Sequence, residues 1–192
     1  MSRADELVET DAERASLDAL RAATGETGGT MERHCVRLFL IAERLGAGAA
    51  EEVDREMLLC AALLHDTGLY PGVKTDDVYV SDSRRLAERT LAPFGWPHAR
   101  LARCLDAVEE HHALGSRWDW GVEVELTRRS DLVDVTRGLV AFGLPRSWLR
   151  ELFQSVPRSG FYRMLGGAVG RMARERPRTL ARIPRPRSTP TA

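Results

Sequence analysis

Residues 57–64 read Met-Leu-Leu-Cys-Ala-Ala-Leu-Leu, an unbroken apolar run that ends abruptly on His65-Asp66. A helix that is apolar on every side cannot lie on a protein surface. It must be enclosed by other elements or by lipid. The run is far shorter than the roughly 20 residues a bilayer crossing requires. The segment therefore predicts the central helix of a bundle, with a histidine and an aspartate carried inward at its end.

The rest of the chain supplies the surrounding helices. A helix rich in Ala, Glu and Leu is predicted over residues 4–23. Its sparse apolar positions (Leu7, Val8, Leu17, Leu20) suggest loose docking. A glycine-rich turn follows at 25–30, and Thr30 is expected to cap a buried helix over 31–45, without the acid that would complete a capping box. The central helix is placed at 51–66, opened by Glu51, Glu52 and Asp54, with Gly68 as its stop. A loop at 69–80 precedes helices at 81–94 and 98–113. A loop bearing Trp118 and Trp120 leads to a helix over 122–140, which Gly143 and Pro145 close off. Short helices are predicted at 146–155 and 159–174. Only the valines at 122 and 124 hint at a strand, and no internal repeat is evident. The expected fold is all-α, a single-domain bundle. Its parts are an N-terminal helix and loop (1–29), a core (30–140), C-terminal helices that complete it (141–176), and a basic Pro/Arg-rich tail (177–192) predicted to be disordered.

Bulk properties exclude several function classes. A chain of 192 residues can bury a sizeable core without staples. Its 28 basic and 28 acidic residues cancel, which gives no general reason to expect nucleic acid or an acidic membrane as partner. The acidic head (Asp5, Glu6, Glu9, Asp11, Glu13, Asp18) and the arginine-rich end read as solvated segments. No aromatics interleave with those arginines. Cys35, Cys60 and Cys104 are odd in number and widely spaced, so they predict free thiols, not disulfides or a zinc knuckle. With no signal-peptide pattern at the N-terminus, the expected location is cytoplasmic. The apolar stripe from Leu139 to Phe153 is most simply core, and it could also form a homodimer face.

The chemistry lies in the polar residues that interrupt the apolar pattern. His34 opens one buried helix, His65-Asp66 ends another, and His111 and His112 end a third. Asp131 and Asp134 share a face of a fourth. A buried carboxylate is costly unless paired, protonated or metal-bound. Imidazole and carboxylate together are ligands for Zn, Mn, Fe, Ni or Co. One divalent ion could satisfy two histidines and two aspartates and still leave positions open for water or a small-molecule substrate. His112, about 100° around the helix from His111, is expected to be exposed, as is His98 after Pro97.

These residues resemble a known family. The order His…His-Asp…Asp is similar to the HD superfamily of metal-dependent phosphohydrolases. The likeness runs through Asp54-Arg55-Glu56-Met57-Leu58-Leu59-Cys60-Ala61-Ala62-Leu63-Leu64-His65-Asp66-Thr67-Gly68-Leu69, and through His34-Cys35-Val36-Arg37. It continues in Ala107-Val108-Glu109-Glu110-His111 and Ser130-Asp131-Leu132-Val133-Asp134. The resemblance covers about residues 30–140 and implies metal ligands at His34, His65, Asp66 and Asp131. The segments 79–87 and 123–134 also resemble the cyanamide-hydratase-like branch, in which Asp134 would be the ligand.

Two departures matter. No histidine stands near Asp82 or Ser83, which implies one metal and not two. Leu69 replaces the familiar lysine. The resemblance implies a hydrolase using metal-activated water on a small polar or phosphorylated substrate. The alternatives are a hydratase of a nitrile-like compound and a non-catalytic binding module. Asp66 would accept a proton and His111 would donate one. Arg37 and Lys74, the only lysine, would clamp a phosphate, the alternative for Arg37 being a pair with Glu32 or Glu43 on its own helix.

Overall fold

The computed structural model describes residues 1–75 and 78–175, and the predicted basic tail lies outside them. Among the described residues there are nine α-helices and no strand. The chain begins with α1 (Arg3–Leu7) and α2 (Asp11–Thr24). These were expected as one helix. The chain breaks at residues 8–10 because each piece carries its own capping box. Ser2 pairs with Asp5, and Thr10 pairs with Glu13.

Nor is this segment loosely docked. Ala12, Glu13, Ser16, Leu17 and Leu20 are all buried. Glu13 accepts from the backbone N–H of Glu9 and Thr10 and from Arg55 Nη1 at 2.7 Å, which fastens α2 to the start of the central helix. Arg21 donates to both Asp5 and Glu32. The Arg21 guanidinium, with help from the Ser2 N–H and Arg14, holds the Asp5 carboxyl well below the usual range.

The buried helix is α3 (Thr30–Gly46). Its N-cap is Gly29, not Thr30, and it has no side-chain cap. The central helix is α4 (Arg55–Leu64), capped by Asp54, whose side chain accepts from the Met57 N–H at 3.0 Å. It starts four residues later than its acids suggested. Every residue from Met57 to Leu64 is at most 1% exposed, as enclosure on all sides requires. Leu58, Leu59, Ala62 and Leu63 join a cluster with Leu17, Phe39, Ile41 and Leu126. Met57, Cys60, Ala61 and Leu64 pack on the other side against Leu91, Cys104, Leu105 and Val108. The helix thus divides the core into two compartments.

Past α4 the chain makes a 3-10 turn over Thr67–Leu69 and enters α5 (Tyr79–Leu91), then α6 (His98–Glu110). Gly68 is not a left-handed helix stop. A Cβ there would lie 2.0 Å from the Tyr79 carbonyl oxygen and 2.9 Å from the Ser83 nitrogen. The position needs glycine because the first turn of α5 passes directly against it, and the Gly68 N–H donates to Ser83 Oγ at 2.9 Å.

The next helix, α7 (Val122–Val135), absorbs the valines that hinted at a strand and ends five residues earlier than expected. Its end is a Schellman motif: the Gly138 N–H reaches the Val133 carbonyl, the Arg137 N–H reaches Asp134, and Arg137 adopts φ 57°. Helices α8 (Arg146–Ser155) and α9 (Phe161–Glu175) complete the bundle. No helix among the described residues is long and apolar enough to cross a membrane.

Two predictions follow from this packing. Gly68→Ala should destabilise the fold by about 2 kcal/mol or more, because the obstruction is backbone and cannot rotate away. Thermal melting of the variant measures this. Asp5→Asn should lower stability by roughly 1 kcal/mol at pH 7. A carboxyl whose pKa is depressed on folding contributes above its unfolded pKa and loses that contribution as pH falls through the folded value. The gap between Asp5→Asn and the parent should therefore narrow below about pH 4.

Candidate metal centre

The end of α4 sets the position of the site. Helical geometry persists through His65, whose N–H still donates to the Ala61 carbonyl, and is lost at Asp66 (φ −109°, ψ 8°). His65 is the C-cap, and its Nδ1 donates to the Ala62 carbonyl at 2.9 Å. That bond fixes the tautomer and leaves the Nε2 lone pair pointing inward. His111, the C-cap of α6, does the same: its Nδ1 donates to the Val108 carbonyl at 2.7 Å. His34, on the first turns of α3, directs Nδ1 to Asp134 Oδ2 at 2.7 Å. All three imidazoles are 0% exposed by side chain. Each spends its outer nitrogen on the protein and presents its inner one to a shared space.

In that space, His34 Nε2 and His65 Nε2 lie 3.1 Å apart. Asp131 Oδ1 is 3.4 Å from His34 Nε2, and Asp66 Oδ2 is 3.4 Å from His65 Nε2 and 4.0 Å from His34 Nε2. Two donors about 2.05 Å from a common tetrahedral ion stand roughly 3.3 Å from each other, so these spacings suit one small divalent cation. His34, His65 and Asp131 can offer one atom each within 4.8 Å of one another, as can His65, Asp66 and His111, and His111, His112 and Asp131. Asp66 Oδ1 is buried without a hydrogen-bond partner, although it lies 3.4 Å from His111 Nε2. An orphaned carboxylate oxygen among imidazole lone pairs is a mark of a cation site.

The titration behaviour has the same cause. Burial alone would raise a carboxyl, but His65 and His111 overcome it and hold Asp66 well below the usual range. Asp131 is likewise buried, and His34 with the other histidines lowers it. Burial would depress His34, yet Asp131 and Asp134 outweigh that and lift it to about 9.

The two candidate aspartates of α7 lie on opposite sides of the His34 ring. Asp131 faces the inner Nε2 side of His34, whereas Asp134 takes the outer Nδ1 side. Asp134 is wholly enclosed. It also accepts from Arg37 Nε at 2.8 Å, Arg37 Nη2 at 2.9 Å and Arg158 Nη1 at 2.9 Å. This corrects the expectation that Arg37 meets substrate. Arg37 is 0% exposed, and its remaining Nη1 bonds the Val156 and Pro157 carbonyls. The single lysine, Lys74, sits in the turn after the 3-10 segment, where its backbone N–H donates to the Tyr70 carbonyl.

The structure also brings in residues that the sequence reading left outside the site. His112 is half-buried, not exposed, with Nδ1 3.4 Å from Asp131 Oδ2. The helical spacing failed because α6 ends at Glu110. The chain then turns, and the rings of His111 and His112 sit 4.1 Å apart. Burial and the neighbouring His111 push His112 down to about 4. Tyr79 places its hydroxyl 3.3 Å from His111 Nε2. Phe161, from α9, covers His34 with ring centroids 4.6 Å apart. No local signal marks Arg158 or Phe161, because Arg158 reaches Asp134 across 24 residues of chain and Phe161 reaches His34 across more than a hundred.

An all-helical chain whose histidines and aspartates converge in this way has a donor set that could hold a metal ion. The HD domain family model matches residues 31–136, more than half of the chain, and the chain belongs to the HD domain family. Every histidine and aspartate of the cluster falls inside the matched segment. Members of this family are in general metal-dependent hydrolases. A search of the curated proteins finds no match.

Asp134→Asn tests the ordering just described. The amide keeps the shape but loses the charge that fixes His34 and neutralises Arg37. Divalent-metal affinity, measured by chelator competition, should fall about 10- to 100-fold.

Proposed function

We propose that the chain is a metal-dependent hydrolase that holds one divalent ion with His34, His65, Asp66 and Asp131 and acts on a small polar substrate, a phosphate ester being the favoured class. The observation that carries this reading is the set of inward-facing Nε2 atoms, each locked by a hydrogen bond on the opposite ring nitrogen. A divalent ion bound there would supply an acidified water and a Lewis acid for the electrophile.

The protein's own groups divide the remaining work. Asp66 Oδ1, free of hydrogen bonds, is placed to accept a proton from water. His111 is raised above its ordinary pKa, because Asp66 outweighs the effect of burial, and it can donate a proton to a leaving group. The Tyr79 hydroxyl at 3.3 Å orients that ring. Burial keeps the tyrosine itself protonated. Lys74 is retained as a contact for a substrate phosphate. Arg37 acts on His34 through Asp134 and is a positioning residue. The hydratase alternative, in which Asp134 would ligate, is less well supported, since the Asp134 oxygens are already committed to His34, Arg37 and Arg158.

Protein purified without chelator should carry about one equivalent of transition metal, and His65→Ala should carry less than about a tenth. Loaded protein should release phosphate from a panel of small phosphate esters, with Asp66→Asn slower by at least about 100-fold. Less than half an equivalent of metal with no uptake on titration, by elemental analysis, would sink the proposal.

A further inference from the structure

Outside the metal cluster, the strongest unexplained feature is a groove of about 400 Å³ between the end of α7 and one face of α8. It is lined by Arg137, Arg146, Arg150, Leu149, Phe153 and Gln154, with Gly138 at its edge. Its volume lies in the range of small-molecule sites. Three features set it apart from an ordinary charged surface.

The first is the charge. Arg137, Arg146 and Arg150 form no ion pair or hydrogen bond to an acid among the described residues, whereas most other arginines of the core are paired. The acid of α8, Glu151, points the opposite way, into a separate groove with Leu40, Arg44 and Trp148. Helix α8 therefore sorts its cations onto one side and its anion onto the other. The second is the floor. Leu149 is buried and Phe153 half-buried, so an apolar surface lies beneath the guanidinium groups. The third is what fixes Arg137. It occupies the left-handed position of a Schellman motif, where glycine is the unstrained choice. Its guanidinium is stacked 4.3 Å over Tyr162.

We propose that this groove binds a small organic anion, a phosphate or carboxylate carried on a flat apolar body. The anionic group would be held by Arg137, Arg146 and Arg150, and the body would rest on Leu149 and Phe153. Guanidinium groups match such oxyanions through paired N–H donors, and arginine also tolerates stacking on a planar ligand. The site is separate from the metal cluster, none of whose residues lines it. It is linked to the cluster all the same: the Phe153 ring stacks with Arg158 at 4.7 Å, and Arg158 reaches Asp134.

Adenosine monophosphate and inorganic phosphate are suitable probes, titrated by calorimetry into full-length protein stripped of metal. The nucleotide should bind saturably, and more tightly than phosphate because of the apolar floor. Raising the salt should weaken both. Arg146→Ala combined with Arg150→Ala changes exposed side chains only, and it should weaken binding by about 10-fold or more. Arg137→Gly should weaken binding while leaving the melting temperature unchanged or up by a few degrees, about 2–4 °C, as backbone strain is relieved. No saturable binding below about 10 mM would overturn the assignment. So would binding that the double variant leaves untouched, or binding that appears only in the metal-loaded protein, which would place the anion at the metal centre. The outcome is independent of whether the chain hydrolyses phosphate esters.

Discussion

Two imidazole nitrogens, each with its partner nitrogen engaged by the protein, face each other across 3.1 Å at the end of a helix that has no polar side. Lone pairs at that distance repel unless something positive lies between or beside them. Three nearby carboxylates add to the demand: Asp66 and Asp131 from within, Asp134 from behind. The bundle is built to surround this concentration of negative potential. α3 and α7 bring His34 and the two aspartates of α7, α4 brings His65-Asp66, and α6 brings His111. A cation held there would relieve this repulsion, so metal binding at the cluster would add to the stability of the core.

The hydrophobic architecture serves the same end. α4 is buried on both flanks, and its two compartments hold it in register with α3 and α6 at once. A central helix fixed on all sides gives little freedom to the two residues at its end. Gly68 extends that constraint by letting α5 approach within backbone contact, which positions Tyr79 near His111.

Much of this was legible in the sequence, for reasons that are local. An all-apolar run announces its own burial, and a His-Asp pair at its end announces a need for charge compensation. The residues that converge could be named from that logic and from the family resemblance. What was missed has three different causes. The break between α1 and α2 was written in the Thr10–Glu13 capping box, but the Ala-rich composition masked it. The placement of His112 depended on where α6 stops, and helix ends are the least determinate part of a pattern. Arg37, Arg158 and Phe161 took their roles from long-range packing that no spacing encodes. Arg37 in particular was read from its charge and its place one turn after His34. Its complete burial against Asp134 turns it from a hand toward solvent into a strut within the wall.

Asp134 gathers a histidine from α3, an arginine one turn further on, and a second arginine from beyond α8. The carbonyls that take up the rest of Arg37, and the ring that covers His34, also come from residues 156–161. The family resemblance ends at residue 136, but the physical unit does not. A boundary drawn by similarity would cut the scaffold from its own brace, leaving a buried guanidinium to find new acceptors and His34 open to water. For this chain, the supports of one carboxylate reach past the matched segment, and residues 156–161 pack on the His/Asp cluster as directly as the helices that carry it.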